Sequence, residues 1–275
     1  MKKISSLSHS TIICKTGAAL QAALPALRRN AFKVGVTTPL LAVAFFSCLL
    51  SARAAAPAGE SGVDFPLTLR TKWTDHLHEE IGTGVHFQGI LQKYDKGNTL
   101  DATVITEVVG SDLINGEKYI RLESRIADTP WLTQWLRQTT SGLLLGKTID
   151  FEQGQDVTLM VPPQKLLSPA LKAGESWDWK TTDAVMVMHI KVVGPADITV
   201  PAGTFHTTQL SYDVTLQAEI GLITIRQTRW FAPGVGYAKQ DTEIRLGEHL
   251  LSHVVLTLEK YEPAQGAQLV KGSGR

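Results

Sequence analysis

The chain has 275 residues, 43% of them hydrophobic, with 27 Lys and Arg against 26 Asp and Glu and 2 Cys. Both cysteines, Cys14 and Cys48, lie before residue 54, so cysteine nucleophiles, thiolate zinc sites and iron–sulfur clusters are excluded from everything downstream. With no basic run there either, the sequence offers no electrostatic footprint for nucleic acid.

Residues 1–54 read as a signal peptide. Lys2, Lys3, Lys15, Arg28, Arg29, Lys33 and Arg53 are basic, and the segment holds no Asp or Glu. An uncharged run, VGVTTPLLAVAFFSCLL, extends from Val34 to Leu50, and small residues come after it. A basic start, a short apolar stretch and an A-x-A site describe an export signal. Ala52-Arg53-Ala54 places cleavage after Ala54; cutting after Ala56 would put Pro57 first. Three other features weigh less. The apolar run is short for a membrane anchor and is interrupted by Pro39. Cys48 has Phe45, not Leu, three residues before it, against lipid attachment. Arg28-Arg29 loosely resembles a twin-arginine signal, with Ala31 where a larger apolar residue belongs. Export to the periplasm or medium is therefore expected. Removing the seven leader cations from 27 leaves 20 Lys and Arg against 26 Asp and Glu, a net charge of −6. Such a surface is not drawn to anionic headgroups.

Residues 55–66 are expected as a flexible segment, 67–263 as one β domain and the Gly-rich 264–275 as a disordered tail. From Thr68 on, the apolar period is mostly two. Strands are predicted over Thr103–Val109, Lys118–Ile126, Val187–Val193, Thr207–Leu216, Leu222–Phe231 and Val254–Tyr261. Turn signals separate them at Lys96-Gly97-Asn98, Ile114-Asn115-Gly116-Glu117, Glu152-Gln153-Gly154-Gln155, Pro201-Ala202-Gly203 and Pro233-Gly234-Val235-Gly236. Asn115-Gly116 is the strongest hairpin signal. The reading is an all-β antiparallel fold of roughly ten to eleven strands. Two exceptions are expected: a short helix at Pro130–Arg137, capped by Asp128, and a turn or lid-like loop at Pro162–Leu171.

The motifs Val200-Pro201-Ala202-Gly203-Thr204-Phe205 and Trp230-Phe231-Ala232-Pro233-Gly234-Val235-Gly236, with Gly174-Glu175-Ser176-Trp177 before them, resemble a group of secreted bacterial β proteins of the TapB-like type. The likeness spans about residues 160–262. It implies a single curved antiparallel sheet, an open half-barrel similar to the LolA/LolB lipoprotein carriers, and it brings no catalytic residues. Read physically, Pro201 and Gly203 build one turn, Pro233, Gly234 and Gly236 a second, and Phe205 re-enters the core.

Candidate chemistry is sparse. Asp75-His76-Leu77-His78-Glu79-Glu80, with His86, is the densest set of metal-ligand types, and on a strand His76 and His78 share a face. It departs from H-E-x-x-H at Gly82, and an exposed strand end explains it as well. Ser141-Gly142-Leu143-Leu144-Leu145-Gly146-Lys147-Thr148 nearly spells a phosphate loop, but Ser141 replaces the first Gly and its flanks pattern as strands. No G-x-S-x-G is present, so Ser211, His189, His206, His249 and His253 define no triad, and Glu123, Asp178 and Asp241 define no carboxylate pair. No catalytic residue, metal site or cofactor is assigned. An apolar supply in the middle of the chain suggests a groove: Trp131, Trp135, Leu143, Leu145, Met160, Leu166, Met186 and Met188, with Leu144 and Leu167 beside them. The same residues would equally fill an ordinary core. The leading expectation is non-enzymatic binding or carriage of an apolar or amphiphilic, lipid-like ligand in the cell envelope. A module that pairs a sheet edge with an envelope protein is the second, and a hydrolase of unrecognised type the third.

Overall fold

The computed structural model describes residues 63–82, 98–151, 155–218 and 221–264. The leader, the Ala54 cleavage site, His86, Lys96-Gly97, Glu152–Gly154 and the tail from Gln265 lie outside the described residues.

Period-two patterning becomes twelve strands. The first six are β1 (Lys72–Ile81), β2 (Thr99–Ile114), β3 (Glu117–Ile126), β4 (Thr129–Thr139), β5 (Gly142–Asp150) and β6 (Asp156–Leu167). The second six are β7 (Ser176–Lys180), β8 (Met186–Val200), β9 (Gly203–Ala218), β10 (Gly221–Ala232), β11 (Gly236–Leu246) and β12 (His249–Glu262). They form one antiparallel sheet in the order β6-β5-β4-β3-β2-β1-β12-β11-β10-β9-β8-β7. Every strand is laddered to its neighbours in the chain except β6 and β7, and the two six-stranded halves are joined through β1 and β12. The sheet is curled into a nearly closed barrel. Bulges drive the curl, with register breaks at Thr74/Asp75, Val108/Gly110, Ser124/Arg125, Val192/Gly194 and Trp230/Phe231 among others.

The expected turns are built as their residues dictate. Asn115 and Gly116 both take positive φ, 52° and 81°, which is the two-residue hairpin geometry whose twist matches the flanking strands. Pro201-Ala202 turns β8 into β9, and Gly234 and Gly236 take positive φ between β10 and β11. Strand alternation decides what points inward. On β1, Trp73, Asp75, Leu77, Glu79 and Ile81 are buried, while His76 and His78 face out.

Four expectations need correcting. The strand number is twelve, above the ten to eleven expected. Pro130–Arg137 is strand, not helix. Trp131, Leu132, Trp135 and Leu136 mimic helical spacing because β4 is covered on both faces from Trp131 to Leu136. The outer Trp135 donates its indole N–H to Asp112 Oδ2 at 2.8 Å and lies under Lys147 Nζ, 4.4 Å from the ring centroid. Pro162–Leu167 is likewise strand, the second half of β6, and the loop begins only at Ser168. The flexible segment also ends earlier than residue 66. Val63 and Phe65 are core residues, Phe65 stacks on Phe231 with centroids 6.2 Å apart, and Gly234 N–H donates to Asp64 O at 2.9 Å.

The near phosphate loop is β5. Gly142 and Gly146 serve close packing, against the Leu167 carbonyl and the Tyr119 ring respectively. No helix among the described residues is long and apolar enough to cross a membrane.

Candidate functional site

The inner face is apolar over most of its area, in two clusters. The larger joins Trp73, Leu122, Leu143, Leu166, Met188, Leu210 and Phe231, among others. The smaller joins Leu77, Leu100, Val104, Ile126, Trp131 and Leu256, among others. Of the eight expected groove residues, Leu143, Leu145, Met160, Leu166, Met186 and Met188 meet in the first cluster. Trp131 lies in the second. Trp135 is apart from both, on the outer face with Asp112 and Lys147. All eight are buried.

Set into this apolar interior are polar side chains, of which the sequence singled out only Asp75, and that as part of a possible metal-ligand cluster. Asp75, Gln134, Gln164 and Gln240 are each no more than 1% exposed. Both oxygens of Asp75, both amide atoms of Gln134 and Gln240, Gln164 Oε1, Thr148 Oγ1, Thr71 Oγ1 and Trp73 Nε1 have no hydrogen-bond partner. Leaving one such group unpaired costs about 1–3 kcal/mol. Together they would offset the whole net stability of a domain, about 5–15 kcal/mol. Buried polar groups in folded proteins are partnered, by protein, water or ligand. Thr71, just before β1, is followed by Trp73 and Asp75 on the buried face of that strand. Asp75 falls at the join of the two clusters, opposite Leu258 of the first and Val104 of the second.

Burial sets the protonation of this interior. Desolvation, with a smaller push from the Glu259 carboxylate, raises the Asp75 pKa well above the ordinary carboxylate range. Desolvation lifts Glu79 to about 7, against the hydrogen bond of 2.5 Å donated by Ser252 Oγ. Arg229 is held by π faces and an amide. Its guanidinium carbon is 4.5 Å from the Tyr212 centroid and 4.9 Å from that of Tyr237, and Nε donates to Gln227 Oε1 at 2.7 Å.

The barrel has one seam, between β6 and β7. Pro162 and Pro163 leave β6 without an N–H to donate at those two positions. Side chains cross instead: Trp177 Nε1 donates to Lys165 O and Trp179 Nε1 to Pro162 O, both at 3.0 Å, and Thr182 Oγ1 to Val161 O at 2.9 Å. With Tyr212 Oη donating to Leu166 O at 3.0 Å and Lys165 Nζ over the Trp177 ring, these side-chain contacts stand where every other pair of neighbouring strands has a backbone ladder. Trp179→Phe removes the indole N–H donor and trims a buried bicyclic ring to a phenyl. We expect it to cost about 2–3 kcal/mol, from the lost hydrogen bond and the space left in the core, and to speed amide exchange in β7 selectively; equal exchange in both proteins would show that the indoles do not hold the seam.

The histidines assemble no catalytic group among the described residues. His78 Nδ1 pairs with Asp101 at 2.8 Å, His189 Nδ1 with Asp178 at 2.7 Å, His206 Nδ1 with Asp197 at 2.6 Å and His253 Nε2 with Asp241 at 2.9 Å. All four are cross-strand pairs on the outer face, with no serine bonded to the imidazole. The Asp101 hydrogen bond raises the His78 pKa. His76 also approaches Asp101, at 3.3 Å, yet no group of three ligands arranged for a metal ion occurs among the described residues. At one end of the barrel Val63, Pro169, Leu171, Thr208, Phe231 and Pro233 line a depression of about 230 Å³. That is below the roughly 300–1,000 Å³ usual for ligand sites.

The fold and the site thus define an all-β, nearly closed half-barrel with polar groups enclosed in an apolar interior. A family model described as DUF3108-like matches residues 156–256, a stretch that contains both turn motifs. The TapB-like and LolA/LolB-like names are not those of the matched family. Among solved structures, a protein described as exported, with a YmcC-like fold, from Bacteroides fragilis is 12% identical over 73% of this chain and 99% of its own, with a TM-score of 0.40. A protein described as a lipoprotein from Parabacteroides distasonis is 14% identical over 73% of this chain and 98% of its own, also at 0.40. A protein described as the hypothetical lipoprotein YmcC, from Escherichia coli, is 13% identical over 71% of this chain and 86% of its own, at 0.32. No curated protein matches the chain.

Proposed function

We propose that this is an exported envelope protein that binds an amphiphilic, lipid-like molecule inside the half-barrel, without catalysis. The observation that carries the reading is the set of orphaned polar atoms on Asp75, Gln134, Gln164 and Gln240 within an apolar enclosure. An amphiphile supplies both halves of the complement: hydrogen bonds for these groups, and an apolar body for the Leu and Met side chains around them. The weakly joined β6–β7 seam is the entry route. Export rests on the leader, with its basic start and Ala52-Arg53-Ala54. The test is native mass spectrometry of the protein recovered from expressing cells, followed by organic extraction. A reproducible apolar mass that leaves on extraction is the expected result. An apo mass, together with no uptake of a fluorescent fatty-acid or fatty-amine probe, would sink the reading.

A second reading has its own observation. Val157, Leu159 and Val161 stand about half exposed, at 49%, 47% and 53%, in a stripe on the outer face of edge strand β6. Such a stripe on a sheet edge suits strand addition by an envelope protein. Leu159→Lys would abolish that association and leave ligand uptake intact.

A further inference from the structure

The buried interior has a charge imbalance, and the inference drawn from it rests on the ligand-binding reading above. Among the described residues, the buried ionisable side chains that carry full charge at neutral pH when solvated are Asp75, Glu79, Asp150 and Arg229, three acids to one base. The base is already engaged by Gln227, Tyr212 and Tyr237. An incoming carboxylate or phosphate would meet acids and no uncommitted cation. Desolvating an anion without a partner is among the most expensive steps a binding site can require.

Asp75 has the opposite complementarity. Its residue is 0% exposed, and neither carboxylate oxygen has a hydrogen-bond partner. The charge that acts on it is another carboxylate, Glu259. Two residues earlier on the same inner face lies Trp73, also 0% exposed. A carboxylate beside an indole is the pairing that receives an ammonium group: the carboxylate accepts its N–H bonds, and an aromatic face attracts a desolvated cation. Leu258 and Val104 flank Asp75 on the adjacent strands, so an apolar chain extending from the ammonium meets apolar wall on both sides.

We propose that the ligand's polar end is a protonated amine, seated on the Asp75 carboxylate beside Trp73. Binding favours the ionised form of Asp75 by giving the buried carboxylate its counter-charge, and the proton that burial favours on the ligand-free group leaves to solvent.

The test compares three probes of equal chain length, decylamine, decanoate and decanol, at pH 7.4 on the protein as the cell processes it. We expect decylamine to bind at least tenfold more tightly than either of the others. Asp75→Asn should bring it down to the level of decanol, with the far-ultraviolet circular dichroism unchanged, since this change removes a buried acid and keeps its shape. Glu79→Gln should retain the amine preference. Decanoate or decanol binding as tightly as decylamine, or an Asp75→Asn protein that keeps the preference, overturns the amine assignment and leaves the amphiphile reading standing. Loss of the preference in Glu79→Gln alone moves the site away from Asp75 and overturns the assignment too. Failure of all three probes to bind overturns both.

Discussion

Gly142→Ala is expected to destabilise the fold by about 4 kcal/mol or more, in the range reserved for severe backbone or core damage. Gly142 opens β5 with φ at +125°, a region that L side chains rarely adopt. A Cβ there would overlap the backbone carbonyl oxygen of Leu167 on β6. A flexible side chain could swing aside, but this oxygen belongs to the strand paired with β5, where Leu143 lies opposite Leu167. Relief requires moving the ladder that carries one side of the seam. Gly116→Ala is the matched comparison. Gly116 also has positive φ, 81°, but nothing lies within 4 Å of the added methyl group. Its cost should be the backbone preference alone, about 1 kcal/mol. Urea denaturation of the two variants reads the difference directly. Near-equal midpoints would show that β5 and β6 approach less closely at Gly142 than the fold requires.

Glu79→Gln is expected to remove a pH dependence worth about 3 kcal/mol. Folding lifts the Glu79 carboxyl from 4.5 to about 7 because burial penalises its charged form. Between those values the unfolded chain has released a proton that the folded chain retains. The unfolded state is therefore favoured progressively as pH rises. Stability is highest below pH 4.5, falls by up to about 1.4 kcal/mol per pH unit, and levels off above about 7. Glutamine cannot ionise and can still accept the Ser252 hydrogen bond. The variant should match the parent at pH 4.5 and exceed it at pH 8. Asp75 is shifted in the same direction, so a residual slope remains in both proteins. The quantity to read is the difference between the two curves at pH 5, 6, 7 and 8. Parallel curves would mean that Glu79 is solvated in the folded protein.

Local chemistry was legible in the sequence where it is local in cause. Asn115-Gly116 specifies its hairpin because few other pairs tolerate two consecutive positive φ values. Lys118–Ile126 reads as a strand because one face is wet and the other dry. Pro130–Arg137 misled because both faces of β4 are covered, which erases the alternation that marks a strand. The Pro162–Leu167 stretch misled because two prolines suggest a loop, whereas at a sheet edge they only remove donors that no neighbour needs.

Site residues divide along the same line. His76 and His78 drew attention as ligand types, and alternation on β1 turns them outward to Asp101. Their neighbours Asp75 and Glu79 were read with them as possible metal ligands or an exposed strand end, and alternation buries them. The available signal was Trp73, Leu77 and Ile81 at the same parity, a dry face with two acids in it. The Gln134, Gln164 and Gln240 amides carry no comparable mark, because a lone glutamine in a strand is more often wet than dry.

By itself, then, the sequence determined that strands predominate, where the turns at Asn115-Gly116, Pro201-Gly203 and Pro233-Gly236 fall, and the absence of cysteine chemistry beyond residue 54, since each follows from neighbouring residues or from composition. Only the tertiary structure decided that β1 pairs with β12, that β6 and β7 meet without a ladder, and that the unpaired Asp75 carboxylate and unpaired amides share one buried interior. Those outcomes depend on contacts between residues far apart in the chain, such as Glu79 with Ser252 and Trp179 with Pro162, and a period-two pattern is the same whichever strand lies alongside.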